Sequence, residues 1–242
     1  MSERLWLVVP AAGRGRRMGA ALPKQYLPLA GLTVLARTLA RLHEAFPEAR
    51  LCLCLDPDDE RFDPAAVPFA DWRRVPGGAE RVDSVTNALA AIAGEAGADD
   101  TVLVHDVARP CVRAEDLRRL ASAVADDAVG GLLAAPVADT MKRDDGTGRV
   151  GGTEPRDGLW HALTPQGFGY GVLRRALAEA AERGVAVTDE ASAVEALGLS
   201  PRLVSGRRDN LKITHPEDLA LAEAILAAQK APAPSADRND CA

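Results

Sequence analysis

Glycine and basic residues alternate in a loop that follows the first apolar run of the chain. The sequence VVPAAGRGRRMGAALPKQYL covers residues 8–27 and contains the small residues Ala11, Ala12, Gly13 and Gly15 and the cations Arg14, Arg16, Arg17 and Lys24. Met18 stands where a dinucleotide-binding turn needs its third glycine, and the Gly-Lys-Ser/Thr ending of a Walker loop is absent. Small residues let backbone N–H groups approach phosphate oxygens, and four clustered cations repel one another unless an anion neutralises them. The pattern favours a triphosphate site; the alternative is a tight turn with solvated arginines.

Further polar residues follow later apolar runs. Asp106 and Arg109 stand in HDVARP, after the run TVLVH, while the segments TPQ, TDE and DNLKIT contribute Thr164, Thr188 and Lys212. In a parallel sheet the carboxyl ends of the strands meet at one edge, where ligands bind. We therefore expect these residues to gather beside the glycine loop. None of the four histidines is spaced as the base of a nucleophile, so charge neutralisation and positioning are the chemistry indicated.

Three neighbouring polar residues have structural interpretations. His105 is expected to be a packed residue at a strand end. Asp189 and Glu190 are expected to occupy the first turn of a helix, where negative charge favours the helix dipole.

Apolar runs alternate with helix-period segments, which is typical of an α/β fold with a largely parallel sheet. Strands are predicted at residues 5–9, 51–55, 101–105, 131–137, 202–205 and 211–213. Helices are predicted at residues 33–46, 76–92, 114–124, 170–183, 189–197 and 216–229.

Residues 138–160 interrupt this rhythm with turn signals and short β-like pieces. We predict a β-hairpin arm that projects from the domain. Such an arm cannot bury its own faces, so we expect it to pack against a second subunit; a mobile surface loop is the alternative. Residues 1–230 are expected to form a single domain, and the Pro/Ala-rich tail at residues 231–242 is expected to be disordered.

Composition and charge exclude several classes of protein. The chain has 242 residues, of which 47% are hydrophobic, and a formal net charge of −6, which argues against a general binder of nucleic acid or of anionic membranes. Its N-terminal apolar run is too short for a signal peptide or a membrane helix, so we expect a cytoplasmic protein. Cys52 and Cys54 alternate with leucines, lack metal-ligand spacing and are interpreted as inert, reduced residues on one strand face.

Seven segments occur together in an order that resembles one enzyme family. They are PAAGRGRRM…LPKQYL, GGAERVDSV, VHDVARP, DTMK, LWHALTPQ, TDEASAVEALG and GRRDNLKITHPEDLALAE. The first resembles the nucleotide signature of the nucleotidylyltransferases, and the whole set, from residue 5 to about 228, resembles the 2-C-methyl-D-erythritol 4-phosphate cytidylyltransferase family of non-mevalonate isoprenoid synthesis. The resemblance implies a Rossmann-like three-layer α/β fold of the nucleotide-diphospho-sugar transferase type, with a mostly parallel twisted sheet and a projecting β-arm. It implies transfer of CMP from CTP to methylerythritol phosphate, which gives 4-diphosphocytidyl-2-C-methyl-D-erythritol and pyrophosphate.

The resemblance also implies roles for individual residues. Arg17 and Lys24 would be catalytic, stabilising the charge that develops at the α-phosphorus. CTP would be bound by Pro10, Ala11, Ala12, Gly13, Gly15, Gly78 and Ser84. Asp106 would hold Mg²⁺ or another divalent cation, and the acceptor would be bound by Asp106, Arg109, Thr164, Thr188 and Lys212. Thr140 and Arg156, on the arm, would reach the site of the partner subunit in a homodimer.

Two other functions stay open at this level. A cytidylyltransferase that uses ribitol 5-phosphate is the nearest alternative, although ARP and LWHALTPQ favour methylerythritol phosphate. A non-catalytic nucleotide-binding subunit is the more remote one, and it would be expected to keep the glycines while losing the cations.

Overall fold

A computed structural model describes residues 4–13 and 22–230 of the chain. Within these residues the strands are β1 (Leu5–Pro10), β2 (Pro28–Leu29), β3 (Leu32–Thr33), β4 (Arg50–Leu55), β5 (Trp72–Pro76), β6 (Thr101–Val104), β7 (Gly131–Pro136), β8 (Met141–Asp144), β9 (Val150–Glu154), β10 (Trp160–Gly169) and β11 (Arg202–Ser205). The helices are α1 (Val34–Ala45), α2 (Arg81–Ala91), α3 (Ala114–Ala125), α4 (Tyr170–Glu182), α5 (Glu190–Glu195) and α6 (Glu217–Lys230). No helix among these residues is long and apolar enough to cross a bilayer.

Seven strands form one central sheet in the order β11-β7-β10-β6-β1-β4-β5. All neighbouring pairs are parallel except those of β10, which runs antiparallel to both β6 and β7. The carboxyl ends of the other six strands therefore lie along one edge, as the alternation of strands and helices predicts.

Helices cover both faces of the sheet, because successive side chains of a strand point to opposite faces. On β1, Leu7 and Val9 pack against α1 and α3, whereas Trp6 and Val8 pack against α2 and α4. Cys52 and Cys54 share the second face, buried and unpaired, as predicted. The predicted three-layer α/β fold with a mostly parallel sheet is confirmed.

Three local predictions were incomplete or wrong. Residues 211–213 form no strand, because the backbone N–H of Ile213 makes only a single bond to the carbonyl of Ala108 (2.8 Å). Strand β5 was missed because it lies at the edge of the sheet, where its two arginines can reach solvent. Strand β10 was missed because Pro165 interrupts its pattern; the structure places this proline at a register shift, where the ladder is already broken.

The arm is a two-stranded hairpin made by β8 and β9. Its side chains are almost all exposed, and Met141 and Val150 are 37% and 66% exposed. The hairpin joins the sheet through β10, whose first residues continue from the end of the arm.

Candidate active site

A cleft of about 770 Å³ lies at the carboxyl edge of the sheet. One wall is the end of β1 and the start of the glycine loop, Pro10 to Gly13, together with Lys24. The opposite wall is the turn between β5 and α2, from Gly77 to Arg81, with Ser84 on the helix. Asp106 and Lys212 close a third side. A cleft of this size accommodates a small-molecule ligand.

Two loops meet closely in this cleft. The backbone N–H groups of Ala11 and Gly77 each bond to a carbonyl of β4 (both 2.7 Å), which brings the ends of β1 and β5 together. A Cβ on Gly77 would lie 2.2 Å from the Cβ of Ala12, so only glycine fits there. The buried Gln25 side chain donates to the carbonyl of Ala11 (2.9 Å) and supports the loop from below.

Asp106 is the centre of a buried cluster of charges. Its Oδ1 accepts a hydrogen bond from Arg81 Nε (2.8 Å), and its Oδ2 lies 2.8 Å from Lys212 Nζ and 3.6 Å from Arg109 Nε. Burial alone would raise the pKa of the Asp106 carboxyl, but the positive charges of Arg81 and Lys212 outweigh it and hold that pKa well below its usual value. Asp106 is therefore ionised throughout the physiological range.

A hydrogen-bonded layer behind Asp106 fixes its backbone. Thr164 Oγ1 accepts from the N–H of Asp106 (3.1 Å) and donates to Nδ1 of His105 (3.1 Å), while the other ring nitrogen donates to the carbonyl of Arg109 (3.2 Å). The carbonyl partner requires a proton on Nε2, and in the neutral ring Nδ1 is then the acceptor. Burial lowers the pKa of His105 to about 4, and its predicted packing role is confirmed.

Asn210 joins the same layer from the segment before α6. Its side-chain amide donates to the carbonyl of Thr164 (2.8 Å), and its own carbonyl accepts from Arg109 Nη1 (2.7 Å). Arg109 is thus buried beside Asp106 rather than extended into solvent.

Arg81 is held from the side opposite to Asp106 by Glu190. Nη1 and Nη2 of Arg81 donate to the two carboxylate oxygens of Glu190 at 2.6 and 2.9 Å. Burial would lower the pKa of Arg81, but the carboxylates of Glu190 and Asp106 raise it above its usual value. Glu190 lies in the first turn of α5, as predicted, but it is only 1% exposed, and its charge is also paired with an arginine inside the protein.

Most of the residues predicted from the sequence meet in or beside this cleft. Its lining includes Pro10, Ala11, Ala12, Gly13, Lys24, Gly78, Ser84, Asp106 and Lys212, and Arg109 and Thr164 lie directly behind Asp106. Gly15 and Arg17 lie outside the described residues. Thr188 is exposed next to the start of α5, and Thr140 and Arg156 are exposed on the arm; none of these three lines the cleft of its own chain.

Sequence reasoning missed Arg81, Glu190, Gln25 and Asn210 as site residues. Each stands inside a segment that had been singled out, but their partners are distant in sequence: Arg81 and Glu190 are 109 positions apart. No spacing within one segment could reveal that pair.

The carboxylates that line the cleft are those of Asp56, Glu80 and Asp106. Among residues 4–13 and 22–230, no group of three or more His, Cys, Asp or Glu side chains is placed to hold a metal ion. A divalent cation here would depend on few protein ligands.

The chain is similar along almost its whole length to proteins of one family. The family model described as 2-C-methyl-D-erythritol 4-phosphate cytidylyltransferase (IspD) matches residues 5–228. The protein of that name from Chromohalobacter salexigens is 71% identical over 229 residues, covering 95% of this chain and 92% of the relative.

Solved structures agree with this similarity. A crystal structure of 4-diphosphocytidyl-2C-methyl-D-erythritol synthase superposes with a TM-score of 0.81 at 38% identity, covering 93% of this chain and 99% of the other. The 2-C-methyl-D-erythritol 4-phosphate cytidylyltransferase from Francisella tularensis gives a TM-score of 0.79 at 32% identity, covering 92% and 100%. The chain belongs to the 2-C-methyl-D-erythritol 4-phosphate cytidylyltransferase family.

Proposed function

We propose that this protein transfers CMP from CTP to 2-C-methyl-D-erythritol 4-phosphate and releases pyrophosphate. Besides family membership, one observation carries the proposal: a single cleft combines a close-packed glycine loop with Lys24, Arg81 and Lys212. Backbone N–H groups and cations at one site suit two polyanionic substrates, which must be brought together against their mutual repulsion.

The proposed reaction needs no general base. An oxygen of the acceptor phosphate forms a bond to the α-phosphorus of CTP, and the bond from that phosphorus to the bridging oxygen breaks, so that pyrophosphate leaves with the electron pair. A phosphate monoester has its second pKa at about 6 and is largely deprotonated at neutral pH. In keeping with this, no histidine among the described residues lines the cleft.

The residues of the chain then act by binding and orienting charge. Lys24, and Arg17 from the part of the loop outside the described residues, are the groups we propose to stabilise the charge at the α-phosphorus. Gly78 and Ser84 lie on the opposite wall, where they would bind the base. Asp106, Arg109, Thr164 and Lys212 form the connected cluster that we assign to the acceptor.

Asp106 is also the proposed ligand of Mg²⁺. Its carboxylate fits the ion, because it is an ionised oxygen donor at the cleft and because substrate phosphates and water can supply the remaining ligands of a magnesium ion. When bound, the cation would neutralise phosphate charge.

The homodimer is a proposal that rests on the arm. The hairpin exposes Met141 and Val150, and the adjoining Leu159 and Trp160 are 41% and 38% exposed. A two-stranded hairpin is marginally stable alone and gains stability by covering apolar side chains. Thr140 and Arg156, at the base of the arm, are the residues we propose to complete the site of the partner subunit.

The proposed function is tested by measuring pyrophosphate release with CTP and either methylerythritol phosphate or ribitol 5-phosphate, each in Mg²⁺. We expect turnover with the first acceptor and at least about 100-fold lower kcat/KM with the second, the scale of losing two or more placed contacts. ATP, GTP and UTP in place of CTP test the base preference. Equal or faster turnover of ribitol 5-phosphate would overturn the choice of acceptor.

A further inference from the structure

Glu190 is a completely buried carboxylate that does not line the cleft. It lies at the first position of α5 with 1% of its surface exposed, and both of its oxygens are bound by the guanidinium of Arg81. A buried charge is costly unless a partner and further hydrogen bonds compensate it. An apolar residue at this position would join the surrounding core without that cost, so packing alone does not account for a carboxylate here.

The start of α5 is fixed to the central strand β10. The Gln166 side chain donates to Asp189 Oδ2 and accepts from the N–H of Ala191, both at 2.8 Å. Asp189 caps the helix by accepting from the N–H of Ser192 (2.9 Å). Glu190 therefore has a rigid backbone, and β10 also carries Thr164, which bonds to the backbone of Asp106.

Asp106 is held differently at its two oxygens. Oδ1 is bound by Arg81, whose other two nitrogens are fixed by Glu190. Oδ2 is bound by Lys212, whose side chain is 38% exposed and has a flexible stem. The Arg81 side is the rigid one, because a planar guanidinium held at three nitrogens cannot rotate without breaking several bonds.

The charges of the cluster explain why Arg81 needs a second anion. Asp106 is a single carboxylate that is surrounded by three cations, Arg81, Arg109 and Lys212. Without Glu190, the three cations would share one carboxylate, and repulsion would drive Arg81 toward the open cleft.

We propose that Glu190 is a positioning residue for the transfer reaction: it holds Arg81 so that Arg81 orients the Asp106 carboxylate at the acceptor site. The inference rests on the proposed function only where it concerns the acceptor. The orientation of Arg81 itself can be measured without turnover.

The activity test uses Glu190→Gln, Arg81→Lys and the double variant, with Glu195→Gln as the control that removes one exposed carboxylate from the same helix. We expect Glu190→Gln to lower kcat/KM for methylerythritol phosphate by about 10- to 100-fold, the usual range for loss of a supporting partner. The affinity for CTP, measured by calorimetry without acceptor, should change by less than about threefold. A tenfold change in affinity would correspond to about 1.4 kcal/mol. The double variant should be no slower than the slower single variant, because Glu190 acts through Arg81. Glu190→Asp, which keeps the charge, should recover part of the loss.

A second measurement needs no substrate. The side-chain Nε–H signal of Arg81 in an NMR spectrum, assigned by its loss in Arg81→Lys, should exchange slowly with solvent in the parent protein and quickly in Glu190→Gln. The inference would be overturned if the Arg81 Nε–H of Glu190→Gln exchanged as slowly as that of the parent protein. It would also be overturned if the effects of the two substitutions multiplied in the double variant, or if Glu190→Gln had the parental kcat/KM. Should Glu190→Gln fail to fold, Glu190→Asp takes its place in both measurements. The protein could fail to turn over CTP with methylerythritol phosphate while the exchange of the Arg81 Nε–H still depends on Glu190. That result would refute the proposed function but not the conclusion that Glu190 holds Arg81 in place.

Discussion

His105 stays neutral because complete burial disfavours its charged form and lowers its pKa. In the neutral ring, Nε2 donates to the carbonyl of Arg109 and Nδ1 accepts from the hydroxyl of Thr164, which itself accepts from the N–H of Asp106. Through Thr164, the buried His105 therefore supports the backbone of Asp106.

The stability of the protein should consequently depend on pH through His105. In the unfolded chain this histidine takes up a proton below a pH of about 6.5, whereas in the folded protein its pKa is lowered to about 4. Between these values the unfolded state binds more protons, so the free energy of unfolding should fall by roughly 3 kcal/mol as the pH is lowered from 6.5 to 4.

Urea unfolding of the parent protein and of His105→Gln between pH 4.5 and 6.5 measures this dependence. The variant should have a shallower slope by about 1.4 kcal/mol per pH unit. The exposed His215→Gln serves as the control for loss of an imidazole. Parallel slopes for the parent and His105→Gln would show that His105 does not carry the effect.

At the scale of single residues, the sequence predicted those that follow strands and missed those that support them. Asp106 could be found because strand ends converge in an α/β fold, a rule that needs only local patterns, whereas Lys212 was found although the strand predicted around it does not form. Arg81 and Glu190 could not, because their pairing depends on where the first residues of α2 and α5 meet in space. Glu190 also had an adequate local explanation, because it is an acidic residue in the first turn of a helix. The sequence therefore offered no reason to expect its ion pair with Arg81.

Between elements, the residues that follow β1 and β5 approach each other closely in the site. Gly77 has no room for a side chain next to Ala12, whereas no atom of the described residues lies within 4 Å of the position that a Cβ on Gly13 would take. Packing thus requires a glycine at position 77 but not at position 13.

Alanine substitutions at Gly77 and Gly13 should affect different properties of the protein, stability and CTP binding. Gly77→Ala should destabilise the protein by about 1–3 kcal/mol through overpacking. Gly13→Ala should change the free energy of unfolding by less than about 0.5 kcal/mol but raise the KM for CTP at least about 10-fold, because its methyl group would occupy the space where phosphate approaches the backbone. The free energy of unfolding is measured by thermal unfolding and the KM by CTP kinetics for each variant, with Gly94→Ala, at an exposed position, as the control. Parental kinetics in Gly13→Ala would contradict a phosphate-binding role for this loop.

The elements themselves were predicted to different degrees for physical reasons. Parallel strands buried on both faces are continuous apolar runs, and amphipathic helices have a clear period, so β1, β4, β6 and α1 were found within two residues of their ends. Strand β10 contains a proline and lies antiparallel in a sheet that is otherwise parallel, and neither feature has a distinctive sequence pattern.

For the whole molecule, the arm exposes the apolar side chains of Met141 and Val150, whereas its polar side chains pair with one another, as Arg143 does with Glu154. If the arm forms the subunit interface, replacing Met141 and Val150 together by Asp should convert a dimer into a monomer at about 10 μM, since two charges would have to be buried at the interface. Turnover should fall at least about 10-fold, because the arm residues would no longer reach the second site.

Sedimentation velocity and the pyrophosphate assay test this pair of expectations. Replacing the exposed Leu203 and Leu221, which lie on β11 and α6, by Asp is the matched control and should leave both properties unchanged. A parent protein that is monomeric and fully active would refute the proposed dimer.

The position of β10 in the sheet also constrains the order in which the chain can assemble. The strands β5, β4, β1 and β6 all precede residue 105, so their mutual pairings can form from the first part of the polypeptide as it is synthesised. Strand β7 has no such partner, because both of its neighbours, β10 and β11, come later in the chain. It must therefore wait, with both edges unpaired, until residues 160–169 arrive and join the two halves of the sheet. A chain that stops before that point contains the glycine loop and Asp106 at the ends of paired strands, but it lacks Thr164, which bonds to the backbone of Asp106, and the strand that joins β7 to β6.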